Sequence, residues 1–205
     1  MINFSEEIAY WYLRLNGFFP ISNFVIHKTD INKHTSDADV LGIRTPFVFE
    51  EIGGQKCDWD DHFIAKFESG SIIGIICQVK GGATGTTEKL FSEEYLLRSV
   101  KRLGLTKDIN PVMKTLRMET IYECESKIPG NLSKFSIAKL LISRDIPSAN
   151  NNYIHLSLDH VIKFIIERIQ KYKQQKYADR GFFSSMALQT LIEYLKYKDK
   201  NPNSK

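Results

Sequence analysis

No apolar run in this 205-residue chain approaches the length needed to cross a membrane. Residues 1–7 also lack the basic region and apolar stretch of a secretion signal, so a cytoplasmic protein with no membrane partner is expected. Cysteine is scarce. Cys57, Cys77 and Cys124 are odd in number and show no Cys-x-x-Cys spacing, which argues for reduced thiols rather than a disulfide framework or a zinc site. Internal repeats and low-complexity tracts are missing too. The glycine- and threonine-rich residues 81–87 lack the G-x-x-x-x-G-K-[ST] arrangement that places a lysine and a hydroxyl on phosphates, so they read as the exit from the preceding strand.

What is present is an ordinary globular composition, 42% hydrophobic and 25% charged, in a chain long enough for one full core and a small appendage. The net charge of +4 is unevenly placed. Residues 1–155 carry 18 Lys and Arg against 19 Asp and Glu, whereas residues 156–205 carry 10 against 5. A basic tail could attract a polyphosphate backbone, although a solvated helix face gives the same count.

Periodicity supplies the elements. Residues 4–16 read as a helix with Ser5 as N-cap, Glu6 and Glu7 in the first turn, and Gly17 as the stop. Strands are expected over residues 23–27, 38–43, 62–67, 72–79 and 136–142, with Glu68-Ser69-Gly70-Ser71 as a hairpin turn between the third and fourth. Residues 29–35 read as a polar loop and residues 45–61 as an irregular insertion. Its cluster Asp58-Trp59-Asp60-Asp61-His62, with Cys57 nearby, could suggest a metal site, but consecutive acids do not converge on one ion without a dedicated loop, so a solvated turn is expected. Helical spacing marks residues 88–103, then 156–177 capped by Ser157, then 184–197 after a turn at Asp179-Arg180-Gly181. The expected fold is α/β, a mixed central sheet flanked by helices, with residues 1–150 as the core and residues 151–205 as a basic helical extension packed on it. That extension could equally offer a homodimer surface.

The chemistry concentrates at two strand ends. Ser36-Asp37-Ala38-Asp39-Val40-Leu41 places Asp39 on the second strand, and Ile72-Ile73-Gly74-Ile75-Ile76-Cys77 runs into Gln78-Val79-Lys80. Side chains alternate along a strand, so Gln78 and Lys80 share a face and Val79 takes the other. If the strands are neighbours, Asp39 and Gln78 give two oxygen ligands for a hard cation, with a lysine beside them.

In this order the residues resemble the PD-(D/E)xK nuclease superfamily, the restriction endonuclease-like fold. Asp39 matches the family's first acid and Lys80 its lysine, while Gln78 stands where the usual glutamate would be, as in Mrr-type members. Glu6-x-x-Ala9-x-x-Tyr12-Leu13-x-x-x-Gly17 resembles the opening helix of Holliday-junction-resolvase-like members, whose glutamate joins the metal site. The resemblance covers about two-thirds of the chain. It implies an Mg²⁺- or Mn²⁺-dependent nuclease of restriction or repair type, a hydrolase of phosphodiester bonds acting on DNA, with endonuclease and exonuclease action both open. Asp39, Gln78 and Glu6 would hold the metal and Lys80 would position the nucleophile, with Asp37 as a reserve ligand. Lys89, Lys163, Lys171 and Lys173 are the candidate nucleic-acid contacts. Because Gln78 is one negative charge short, a non-catalytic nucleic-acid-binding or assembly module is the alternative. A carbohydrate-active enzyme using Asp37-x-Asp39 ranks below both, since it leaves Gln78-x-Lys80 without a role.

Overall fold

The computed structural model describes residues 3–26, 36–81, 90–125, 134–144, 152–176 and 185–201. Its element order is α1 (Phe4–Leu15), β1 (Phe19–Ile26), β2 (Ser36–Arg44), α2 (Asp61–Ile64), β3 (Ile72–Lys80), α3 (Glu93–Leu103), α4 (Ile109–Met118), β4 (Ile121–Glu125), β5 (Lys134–Ser143), β6 (Ile154–Ser157), α5 (Leu158–Lys171), α6 (Lys173–Lys176) and α7 (Met186–Lys200). The strands form one mixed six-stranded sheet in the order β1-β2-β3-β5-β4, with β6 also on β5. The first three strands are antiparallel neighbours, whereas β3, β5 and β6 run parallel.

β3 is central because its sequence tolerates burial on both faces. Ile73, Ile75, Cys77 and Val79 pack under α1, α5 and α7, while Ile76 packs with Leu41, Ile137 and Leu141 under α3 and α4. Such an unbroken apolar strand belongs between two helical layers. Each fully buried isoleucine or leucine contributes about 1.5–3 kcal/mol. The result is an α/β/α sandwich. The carboxy-terminal segment is woven into it, since β6 extends the sheet and the buried sides of α5 and α7 share one cluster with α1.

Local rules explain several boundaries. Asn3 caps α1 by accepting Glu6 N–H at 3.0 Å, so the cap precedes the expected Ser5. Ser157 caps α5 as expected, accepting His160 N–H at 3.1 Å, but α5 ends at Lys171 rather than reaching residue 177. The strand expected over residues 62–67 is instead the short helix α2. Asp60 accepts His62 N–H at 3.1 Å, and the turn buries Phe63 and Phe67 on one side with rings 5.6 Å apart. β3 therefore pairs with β2 and β5 and makes no hairpin with that segment. α4, β4 and β6 escaped the periodicity reading: Pro111 sits in the first turn of α4, a position where it needs no N–H, and the two strands span five and four residues. The polar loop 29–35 and the turn at residues 179–181 lie outside the described residues.

Candidate active site

The β2–β3 register sets the candidate site. Val40 pairs with Cys77 and both enter the α1 layer; Leu41 pairs with Ile76 and both enter the α3 layer. One step beyond the first pair, Asp39 and Gln78 both fall on the α3 face, and Lys80 follows on that face two residues later. Asp39 is half-buried and its Oδ2 accepts the backbone N–H of Val79 at 2.6 Å, which ties its carboxylate to the end of β3. Gln78 is buried, with Oε1 accepting Phe91 N–H at 3.3 Å. Phe91 has a positive φ of 55°, an unusual conformation for a non-glycine residue, and it directs this N–H from the turn before α3. Lys80 is exposed.

Around this carboxylate the neighbouring acids stay protonated. Burial pushes the Cys77 thiol well up, and the Asp39 charge adds to the effect. Tyr95, whose hydroxyl donates to Cys77 O at 3.4 Å, is raised by burial and then by the same charge. Cys77 is therefore an inert core thiol.

Glu6 stands apart from these three. α1 covers the opposite face of the sheet, and Glu6 closes its own capping box, receiving Asn3 N–H on Oε2 at 3.4 Å. The first turn of α1 nevertheless reaches the exit of β3: a Cβ on Gly81 would lie 2.5 Å from Ser5 Oγ, so a larger residue there would make the Ser5 side chain shift. Asp37 lies on β2 opposite Val25, and its side chain is outside the described set.

Two residues that the sequence did not single out extend the same edge. Ser143 pairs with Lys80 across β3 and β5, and Leu141 links Gln78 to His155 on β6. Ser143 Oγ lies 2.9 Å from His155 Nε2, and burial lowers the His155 pKa, which favours the neutral ring. The alternation Ile154-His155-Leu156-Ser157 was the available signal, but four residues are too few to separate a strand from a loop.

Of the candidate nucleic-acid contacts, Lys89 lies outside the described residues. The other three are in ion pairs: Lys163 with Glu167 at 3.9 Å, Lys171 with Asp58 at 2.8 Å, and Lys173 with Asp199 at 3.5 Å. The expected solvated turn at residues 58–62 is also corrected. Asp58 and Asp60 are both buried and each accepts three or more hydrogen bonds, because the turn is held between α1 and α5.

Among the described residues no group of three or more histidines, cysteines and acids is placed to hold a metal. Asp39 and Gln78 supply two oxygens on one face, which suits a Mg²⁺ ion completed by water and substrate phosphate rather than an all-protein cage. No family model, curated protein or solved structure gives a match to this chain.

Proposed function

We propose that this chain is a Mg²⁺-dependent nuclease of restriction endonuclease-like fold that hydrolyses phosphodiester bonds in DNA. The observation that carries the reading is the shared face of Asp39, Gln78 and Lys80 where β3 ends. The antiparallel run β1-β2-β3 after α1, with β5 laid parallel to β3 after α3, α4 and the antiparallel β4, supports it as well. Ligands of α/β sheets generally lie outside the carboxyl ends of parallel strands, which is where β3, β5 and β6 present Lys80, Ser143 and His155.

A bound Mg²⁺ would lower the pKa of a coordinated water and offset phosphate charge. Asp39, fixed by Val79 N–H, would hold the metal through its carboxylate, and Gln78 would add the second lone pair of Oε1. Lys80 would hold the scissile phosphate and orient the attacking water against it. Glu6 enters only through water, given its capping box and its layer.

Cleavage of linear, nicked and branched DNA with and without Mg²⁺ tests the proposal. The wild-type chain should cut at least one substrate only with the metal, and Lys80→Ala should lower the rate by about a hundredfold or more. Metal-independent cutting, or equal rates in both proteins, would refute it.

One observation favours the second reading, a non-catalytic nucleic-acid-binding or assembly module. Gln78 carries no charge and its amide oxygen already accepts Phe91 N–H. Calorimetry with Mg²⁺ in the presence of uncut DNA separates the two, because only the nuclease reading expects metal uptake that Asp39→Ala removes.

A further inference from the structure

On the other side of the sheet, in the α1 and α5 layer, the turn at residues 57–62 and α5 enclose a groove of about 420 Å³. Two acids in its wall are already engaged. Asp58 accepts Lys171 Nζ at 2.8 Å, the Tyr172 hydroxyl at 2.9 Å and Gln55 N–H at 3.0 Å. Asp60 accepts the Tyr12 hydroxyl at 2.5 Å, His160 Nε2 at 2.6 Å and His62 N–H at 3.1 Å. A carboxylate has about four lone-pair sites, so neither acid has much capacity left for a ligand. Asp61 and Glu167 stand at the exposed rim, where solvent screens them.

The capacity that remains is that of donors. Arg168 lines the groove at 3% exposure; its Nη1 donates to the carbonyls of Leu15 and Gly53, while Nη2 is buried with no hydrogen-bond partner. Gly53 permits this by its positive φ of 76°, with a Cβ at that position only 3.4 Å from Nη1. His160 donates through Nε2 to Asp60, so its second ring nitrogen is an acceptor in the neutral ring and a donor only in the imidazolium, and the His62 ring lies 5.5 Å from it. Lys163 projects beside them with 72% of its side chain exposed. A fixed guanidinium with an unsatisfied N–H, flanked by imidazoles and an ammonium, matches the oxygens of a phosphate better than any neutral group. From His160 to Lys171 the wall runs about 16 Å along α5, far longer than one phosphate.

We propose that this groove binds a phosphate monoester of mononucleotide size, with the phosphate between Arg168, His160 and Lys163 and the remainder lying along α5 beside Phe164. The site is separate from the Asp39, Gln78 and Lys80 edge and does not depend on the nuclease reading. Isothermal titration of the full chain with AMP, adenosine and inorganic phosphate tests it. AMP should bind one to one, with adenosine and phosphate each weaker by about tenfold or more. His160→Gln, which keeps a hydrogen bond to Asp60, and the surface change Lys163→Glu should each weaken AMP about fivefold or more with the circular dichroism spectrum unchanged. No binding of AMP at millimolar concentration would overturn the proposal, as would adenosine binding as well as AMP. So would affinity that falls with Lys80→Ala but not with the groove variants, which would put the nucleotide at the sheet edge.

Discussion

Two polar regions of this molecule lie on opposite faces of one sheet and use their acids differently. At the end of β3, Asp39 holds a backbone N–H with one oxygen while Lys80 stands exposed beside it. Beneath α5, Asp58 and Asp60 are buried and filled by donors from α1, the turn and α5. A carboxylate saturated with protein donors fastens segments together. One that is only half-buried at a strand terminus, as Asp39 is, stands where chemistry can reach it. The contrast separates acids that hold the fold from acids that can act.

The largest effect expected on stability sharpens this contrast. Asp60→Ala strands the hydroxyl of Tyr12, which is fully buried, and removes the cap of α2. A loss of about 2–4 kcal/mol in urea unfolding is expected from an orphaned buried donor and a lost cap. An effect below about 0.5 kcal/mol would mean that the turn is not fastened there.

The two layers should both gain stability as pH rises, but in different windows. Burial raises the Asp58 pKa, but Lys171, the Gln55 N–H and Tyr172 together outweigh that and hold it below the ordinary carboxylate value. Its stabilisation is then complete above the unfolded pKa and is lost as pH falls through the lower folded one, below about 4. Under α3 and α4, Lys139 is buried against Phe91 with Nζ donating to Leu116 O at 2.5 Å, and burial lowers its pKa to about 8. There the unfolded chain binds the extra proton, so stability rises between about pH 8 and 10.5, by roughly 1–3 kcal/mol. Lys139→Met should flatten that rise in thermal melts. A rise that persists in the variant would assign it to another group.

At the sheet edge, Gln78→Glu should retain or increase metal-dependent cleavage, since a carboxylate binds a hard cation better than an amide and still accepts Phe91 N–H. A stable Gln78→Glu protein that lost cleavage would give the amide another task. The smallest effect is expected in the tail. Replacing Lys163 and Lys173 with alanine should weaken DNA binding equally for all sequences and reduce the salt slope by about 2 at most. Lys171 is left out because its ammonium holds buried Asp58. An unchanged slope would mark those two lysines as solvated surface.

Part of the sheet edge was legible in the sequence because strand alternation puts Gln78 and Lys80 on one face; that Asp39 shares it follows from the β2–β3 register, which pairs Val40 with Cys77. Glu6 was not legible, since helical position alone says nothing of which layer a helix covers or whether a first-turn acid closes its own capping box. The acids at Asp58 and Asp60 misled for a related reason. Their partners Tyr12, His160 and Lys171 are 48, 100 and 113 residues away, and only the packing of α1 against α5 brings them together. Ser143 and His155 depend likewise on a parallel pairing of β5 with the short β6.

The most direct measurement is Mg²⁺-dependent DNA cleavage by Asp39→Asn, scored beside its melting temperature. Asparagine keeps an oxygen for Val79 N–H and the same shape, but removes the charge that would hold the metal. The expected result is a melting temperature within about 2–4 °C of wild type and cleavage lower by about a hundredfold or more. Equal rates in the two proteins, whether both cut or neither does, would contradict it.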